Sequence, residues 1–368
     1  MRAIITGGGS GGHIYPAIAI ADKIKEREPD SEILYIGNEL GLEKDIVPGT
    51  GYPLELVSAR WLDRKSILQL FATGFVTMKG VRQSLKIMKK FKPDVVIGTG
   101  GFVCVPVMFA GHQYGARCYL HEQNAYPGVA NRTLEKFVNK VFLGFPDASH
   151  YFRQPEKHVN VGNPVRERFY NVDQKAAREK LGIPMDDFVI FSFGGSQGAE
   201  KLNEVCFDLM EAVNGHEKMT FVFGTGSQYY EEILDKAKEK GIDIQPNIKV
   251  KSYINDMQNY LGAADLVISR AGALSVAEST VCGKALILIP SPNVTGNHQF
   301  FNAKSVADQG GAVIIEEKDL TSELLISEVM KLKNNPDLLK AMSKASKDCA
   351  PLDACEMIYA EMKKDERF

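Results

Sequence analysis

The chain has 368 residues, of which 44% are hydrophobic and 24% charged, with a net charge of −2. That length exceeds one ordinary core and sets two domains as the starting expectation. The near-neutral balance excludes a global attraction to nucleic acid or anionic lipid, so any such affinity is local. No apolar run reaches about 18 residues, which excludes a spanning helix, and no signal peptide opens the chain. Six scattered cysteines without a C-x-x-C read as small buried hydrophobes of a reducing cytoplasm, not as a disulfide or zinc framework.

The first apolar run, Ala3-Ile4-Ile5, predicts a strand, and Ala17 to Ile24 predicts a helix. Between them stands Thr6-Gly7-Gly8-Gly9-Ser10-Gly11-Gly12-His13. A turn so rich in glycine lets backbone N–H groups approach a ligand, and the helix beyond points its positive end at the same place. The site therefore suits phosphate. His13 sets a titratable imidazole at its mouth, the position of a general base. Gly7, Gly9 and Gly12 also fit the dinucleotide fingerprint, so a nicotinamide or flavin oxidoreductase is one reading. Against it, the second strand, Glu32 to Ile36, runs into Gly37-Asn38-Glu39 with no acid at its tip for a ribose.

Further strands are predicted at Leu54–Val57, Asp94–Ile97, Cys118–Leu120 and Val141–Leu143. Between the first and second of these lies a basic, apolar stretch. Arg60, Arg64, Lys65, Lys79, Arg82, Lys86, Lys89, Lys90 and Lys92 stand against one acid, Asp63. Ile67, Phe71, Phe75 and Met78 fall on one helical stripe, and Val81, Leu85 and Met88 on another. The second stripe reads as a core-facing helix. The first fits either a core face or a patch resting on an anionic bilayer surface. Nucleic acid is disfavoured because no binding fold accompanies the charge.

Thr99-Gly100-Gly101 is a second glycine turn, suited to a second anion, and His121-Glu122-Gln123-Asn124 lines a strand's carboxyl end. The Gly162-Asn163-Pro164-Val165-Arg166 run closes the first half and brings Arg166 within reach of a phosphate. The pattern then restarts: a strand at Phe188–Phe193, a glycine turn at Gly194–Ala199 and a helix at Glu200–Val213. Strands follow at Thr220–Phe223, Ile248–Val250, Leu266–Ile268, Ala285–Ile289 and Ala312–Ile315, with a polar helical tail from about Glu323 to Lys364. Short apolar strands alternating with helices imply parallel sheets covered on both faces. Ligands in such sheets bind at the carboxyl ends of the strands, so both glycine turns are expected to face a cleft between the halves. Amides of Ala273 to Val276 suit a diphosphate, and Glu278 suits ribose hydroxyls or simply the helix dipole. The seven histidines show no metal-ligand spacing and no Asp-x-Asp occurs, so no metal or cofactor is expected.

Taken in order and spacing, these motifs resemble the MurG family of bacterial N-acetylglucosaminyltransferases. The likeness rests on Gly7–His13, Thr99–Gly101, His121–Asn124, Gly162–Arg166, Gly194–Ala199, Arg270–Glu278 and Gln299–Ala303, and runs from Met1 to about Gly311. The resemblance implies a GT-B fold, α/β, with two doubly wound Rossmann-like domains facing a central cleft. It divides the chain into an acceptor and membrane-associating domain (1–163), a UDP-sugar domain (164–345) and a C-terminal helix (346–368) packing back on the first. It implies an inverting, metal-independent transfer from UDP-N-acetylglucosamine to undecaprenyl-linked lipid I, giving lipid II for peptidoglycan synthesis. The other reading within the fold is a transferase using a different nucleotide sugar or acceptor.

By similarity, Ser10, Gly11, Gly12 and Asn124 approach the donor sugar, and Arg166 and Ser196 serve the diphosphate. The Ile254 backbone reads uracil, Ala273, Leu274, Ser275, Val276, Ala277 and Glu278 hold phosphate and ribose, and Gln299 holds the sugar. Gly9, Thr99, Gly100, Gly101 and Glu122 face the acceptor. His13 either takes the acceptor proton or orients acceptor or phosphate, and Glu122 is the other candidate base. The resemblance favours membrane contact through Ile67, Phe71, Phe75 and Met78, hence a peripheral protein on the cytoplasmic face of the cell membrane, with cell-wall and division proteins as further partners. Two positions depart from the family pattern: Phe102 stands where Tyr is frequent, and His298 where Gln is frequent.

Overall fold

A computed structural model describes residues 1–60, 67–195, 197–350 and 353–365, with the backbone alone at 67–72 and 295. Thirteen strands are present among them. The first seven are β1 (Arg2–Thr6), β2 (Glu32–Asn38), β3 (Leu54–Val57), β4 (Val95–Gly98), β5 (Arg117–Glu122), β6 (Lys140–Leu143) and β7 (His158–Asn160). The remaining six are β8 (Phe188–Phe193), β9 (Met219–Gly224), β10 (Ile248–Lys251), β11 (Leu266–Ser269), β12 (Ala285–Leu288) and β13 (Ala312–Ile314). The chain divides into two compact units, the first holding Met1–Val165 together with the tail helix Ala354–Lys364, the second Arg166–Ala350.

In the first unit the strand order is β3-β2-β1-β4-β5-β6-β7, every pair parallel. In the second it is β10-β9-β8-β11-β12-β13, again all parallel. Parallel strands need helical crossovers, which cover both faces of the sheet, so the middles of the central strands are apolar. Val95, Val96 and Ile97 of β4 are all fully buried. Each sheet reverses its winding once, between β1 and β4 and between β8 and β11. Loops leaving the carboxyl ends at such a reversal diverge to opposite faces and leave a crevice. The glycine turns after β1, β4 and β8 and the Arg270–Glu278 segment after β11 all emerge at these two points.

One continuous helix, Ile67–Phe91, occupies the basic apolar stretch, where the two stripes suggested two helices. Gly74 and Gly80 do not interrupt it, because glycine weakens a helix without breaking it as proline does. Gly80 allows the helix to lie close to the preceding chain: a Cβ there would stand 2.2 Å from Ser58 O. Beyond it Val81 and Leu85 pack on the core and Met88 is fully buried. Phe75 and Met78 are 71% and 57% exposed, while the side chains of Ile67 and Phe71 lie outside the described residues. Lys79, Arg82, Lys86, Lys89 and Lys90 are exposed on the same helix.

The tail helix is capped by Asp353, whose side chain accepts from Glu356 N. It buries Ile358 and Met362 against Ile14, Ile20 and Ile24 of the helix Gly11–Arg27. Polar contacts frame this apolar seam. Arg27 pairs with Glu356 at 2.8 Å, and Glu28 accepts from Lys363, Tyr359 and the N-terminal ammonium. Burial alone would raise the Glu28 carboxyl, yet these donors hold it down to about 2. Removing the Ile358 side chain leaves a cavity in a fully buried seam, so Ile358→Ala is expected to cost the first unit about 2–4 kcal/mol in denaturant unfolding. A loss below about 1 kcal/mol would show that the tail helix contributes little to that core.

Candidate functional site

In the first unit three loops meet at the carboxyl ends of β1, β4 and β5. Gly8 N donates to Gly100 O at 3.1 Å, and Thr99 N to Thr6 O at 2.9 Å. Gly101 has φ +85°, and a Cβ there would stand 2.2 Å from Gly8 O, so only glycine lets these backbones approach this closely. Tyr35 Oη donates to Gly7 O, and Thr99 Oγ1 to His13 O. The turn is thus tied to its neighbours on three sides. Ser10 caps the helix Gly11–Arg27 with extended backbone and makes no side-chain capping bond, and Gly9, Ser10 and Gly12 are exposed. The first N–H groups of the helix lack intrahelical partners by construction, an arrangement chemically suited to an anion.

His13 is half-buried, its Nδ1 3.0 Å from Thr99 O and 3.0 Å from Gln123 Oε1. A backbone carbonyl only accepts, so Nδ1 is the donor in this contact. Nε2 is the ring nitrogen left to act on a substrate. Glu122 has a different place. It is 1% exposed, its Oε1 accepts from Asn124 N at 2.9 Å and Asn124 Nδ2 at 3.3 Å, and its Oε2 accepts from Gly128 N at 3.1 Å and Asn131 Nδ2 at 2.8 Å. Both oxygens are used in closing its own loop, which sets Glu122 apart from His13. Thr99 is likewise fully buried, so what it contributes to the site is support of His13.

In the second unit the helix Ala273–Val281 starts directly after β11, with Gly272 at its N-cap. Glu278 projects from this helix, its Oε1 3.9 Å from Arg166 Nη2. Burial pushes the Glu278 carboxyl up to about 7, against the opposing pull of the Arg166 and Arg168 guanidiniums. Both arginines stand over the Phe169 ring, at 5.6 and 5.7 Å from its centroid. Gln299 Oε1 accepts from Ser291 N at 2.9 Å, which fixes the amide so that its NH2 end is left to donate. Ile254 lies beside the end of β9, where a Cβ on Gly224 would stand 3.2 Å from its Cγ1. In the turn after β8, Gly198 has φ +86° and closes on Thr225 O, so the loops after β8 and β9 are packed together. Ser196 lies outside the described residues. Arg270 is engaged structurally, bonded to Glu317 and to the Ile289 and Pro290 carbonyls.

The predicted residues thus fall into two groups: Gly9 to His13, Thr99 to Gly101, Glu122 and Asn124 in the first unit, and Arg166, Ile254, Ala273 to Glu278 and Gln299 in the second. Sequence reasoning named His121 and Gln123 only as members of a polar run and did not assign Asn131 or Arg168. Their signals were faint: Arg168 follows Arg166 by two residues, and Asn131 carries no motif. Among the described residues no group of three His, Cys, Asp or Glu side chains is placed to hold a metal.

The model of the glycosyltransferase family 28 N-terminal domain matches residues 3–143, and that of the family 28 C-terminal domain matches residues 189–356. A UDP-N-acetylglucosamine–N-acetylmuramyl-(pentapeptide) pyrophosphoryl-undecaprenol N-acetylglucosamine transferase of Acetivibrio thermocellus is 42% identical over 363 residues, covering 99% of this chain and 98% of its own. The proteins of the same name from Alkaliphilus oremlandii and Clostridioides difficile are 41% and 42% identical, covering 98% and 99% of this chain and 98% and 89% of their own. The crystal structure of Acinetobacter baumannii MurG superposes with a TM-score of 0.79 at 26% identity over 99% of each chain. These matches overturn the oxidoreductase reading.

The Glu278 carboxyl has a folded-state value raised above its usual 4.5. Its contribution to stability is therefore fully present below about 4.5 and lost as pH rises through about 7. The melting temperature of the wild type relative to Glu278→Gln is expected to fall across that window. A pH-independent difference would show that Glu278 does not titrate there.

Proposed function

Because the chain belongs to the MurG family of glycosyltransferase family 28, we propose that it transfers N-acetylglucosamine from UDP-N-acetylglucosamine to lipid I. The acceptor group is the C4 hydroxyl of the N-acetylmuramoyl-pentapeptide carried on undecaprenyl pyrophosphate. The product is lipid II, with the anomeric centre inverted. The observation that carries this reading is the 41–42% identity, over nearly the full length, to transferases of that name.

Inverting transfer requires that the acceptor hydroxyl lose its proton as it attacks, and that the departing UDP be stabilised. In our reading His13 Nε2 takes the proton, the new glycosidic bond forms, and the bond from the anomeric carbon to the diphosphate oxygen breaks with its electron pair leaving on UDP. The exposed backbone around Gly9 to Gly12, with Gly101, suits the acceptor side, while Ser10, Gly11, Gly12 and Asn124 reach the donor sugar. Arg166, Ser196 and the first-turn amides of Ala273, Leu274 and Ser275 meet the diphosphate, where a guanidinium and a helix N-terminus offset the developing charge. Glu278 accepts from ribose, the Ile254 backbone reads uracil, and the NH2 end of Gln299 donates to the sugar.

Transfer of labelled N-acetylglucosamine from UDP-N-acetylglucosamine to a lipid I analogue, with EDTA present, tests donor, acceptor and metal independence together. His13→Ala is expected to lower turnover about a hundredfold or more with UDP affinity unchanged. Turnover within about tenfold of wild type would remove His13 as the base.

No helix among the described residues is long and apolar enough to cross a membrane, and the acceptor is a lipid. The helix Ile67–Phe91 exposes Phe75 and Met78 beside Lys79, Arg82 and Lys86. We assign this face to the anionic surface of the cytoplasmic leaflet, where each basic side chain adds about 1 kcal/mol. Cell-wall and division proteins are the partners this location implies. Phe75→Asp combined with Met78→Asp is expected to abolish sedimentation with phosphatidylcholine–phosphatidylglycerol vesicles, while UDP binding persists. Undiminished vesicle binding would remove the assignment.

A further inference from the structure

We propose that Gln123 and His121 are positioning residues that, anchored by the Gly162 carbonyl, hold the His13 ring as a base with its proton on Nδ1 and its lone pair on Nε2. Each link is a short contact within the first unit. His121 Nε2 lies 2.9 Å from Gly162 O, Gln123 Nε2 lies 2.9 Å from His121 Nδ1, and Gln123 Oε1 lies 3.0 Å from His13 Nδ1.

The polarity of this chain follows from its far end. Gly162 O can only accept, so His121 carries its proton on Nε2. His121 is fully buried, and burial lowers its pKa to about 4, so it stays neutral and its Nδ1 must accept. Only the NH2 end of Gln123 can supply that hydrogen, and the amide is rigid, so its oxygen faces His13. Gln123 is 1% exposed, and its own carbonyl is held by Asn163 Nδ2 at 3.0 Å. Turning the amide over would set a donor against the protonated Nδ1 of His13 and an acceptor against the bare Nδ1 of His121. The buried His121 Nδ1 and the Gln123 amide would then lose the bond between them.

Thr99 O alone could hold the His13 proton. The second acceptor fixes the plane of the ring, and it shares the charge when Nε2 gains the acceptor's proton. No proton passes along the chain: it leaves the acceptor hydroxyl for His13 Nε2 and departs from there to solvent. A glutamine suits this place because its uncharged amide accepts at one end and donates at the other. The inference rests on the proposed transfer, in which His13 is the base.

The test uses the full-length protein with ¹⁵N-labelled histidine and long-range ¹H–¹⁵N spectra, the two rings being assigned by loss of signal in His13→Ala and His121→Asn. His13 is expected to be protonated on Nδ1 and bare on Nε2, and His121 the reverse. Gln123→Met, of similar size but with neither polar end, is expected to lower kcat about tenfold or more and leave the donor KM within about twofold. A wild-type His13 protonated on Nε2, or a His121 protonated on Nδ1, overturns the inference even if the variant does not fold. So does a folded Gln123→Met enzyme with wild-type kcat. Wild-type protein that shows both tautomers but makes no product from lipid I sinks the reading of function alone and leaves the relay as the device that orients His13 for another acceptor.

Discussion

The hydrogen bond from Gly8 N to Gly100 O, 3.1 Å long, joins the turn after β1 to the turn after β4. Most of the first unit's site depends on it. It holds two backbones so close that Gly101 has no room for a Cβ, and it brings the Thr99 carbonyl under the His13 ring. Thr99 answers with its hydroxyl on the His13 carbonyl. The imidazole is thus held at both its ring and its backbone by a strand that is remote in sequence but adjacent in the sheet. Such an arrangement requires β1 and β4 to be neighbours, which the parallel register of Thr6 with Gly98 provides.

The second unit solves an analogous problem with different means. Its helix Ala273–Val281 starts at the corresponding reversal of strand order, between β8 and β11. Here the charged groups are side chains. Glu278 is buried enough to be held well above the usual carboxylate range, and Arg166 and Arg168 limit that rise. A carboxyl balanced near neutrality by burial on one side and two guanidiniums on the other is sensitive to anything that binds beside it, since either neighbour's loss shifts the balance.

The helix Ile67–Phe91 shows how one element serves two environments. Its C-terminal half buries Met88 in the core while its N-terminal half leaves Phe75 and Met78 exposed. Two apolar stripes in sequence suggested two helices, yet a single helix carries both. Exposed large apolar side chains beside a row of lysines and arginines are costly to leave in water, which gives the face physical reason to meet a partner.

Much was legible in the residues themselves. Alternating apolar strands and amphipathic helices determined two doubly wound α/β halves, because only parallel strands buried on both faces are apolar throughout, as Val95-Val96-Ile97 and Leu266-Val267-Ile268 are. The glycine turns, the basic stretch, His13, Arg166 and Glu278 were visible because each rests on local chemistry: a turn that tolerates no side chain, a charge imbalance, or a polar group at the end of an apolar strand. What the sequence could not decide was which of these groups meet. His13 and Glu122 were both candidate bases. Folding put both oxygens of Glu122 into its own loop and tied His13 through Nδ1 alone. The pairing of His13 with Thr99 and Gln123, residues 86 and 110 positions away, and the seating of the tail helix against the helix Gly11–Arg27 depend on strand order and on long-range packing. Periodicity reports the environment of one segment at a time, whereas a hydrogen-bond partner is set by where a distant segment returns to the sheet.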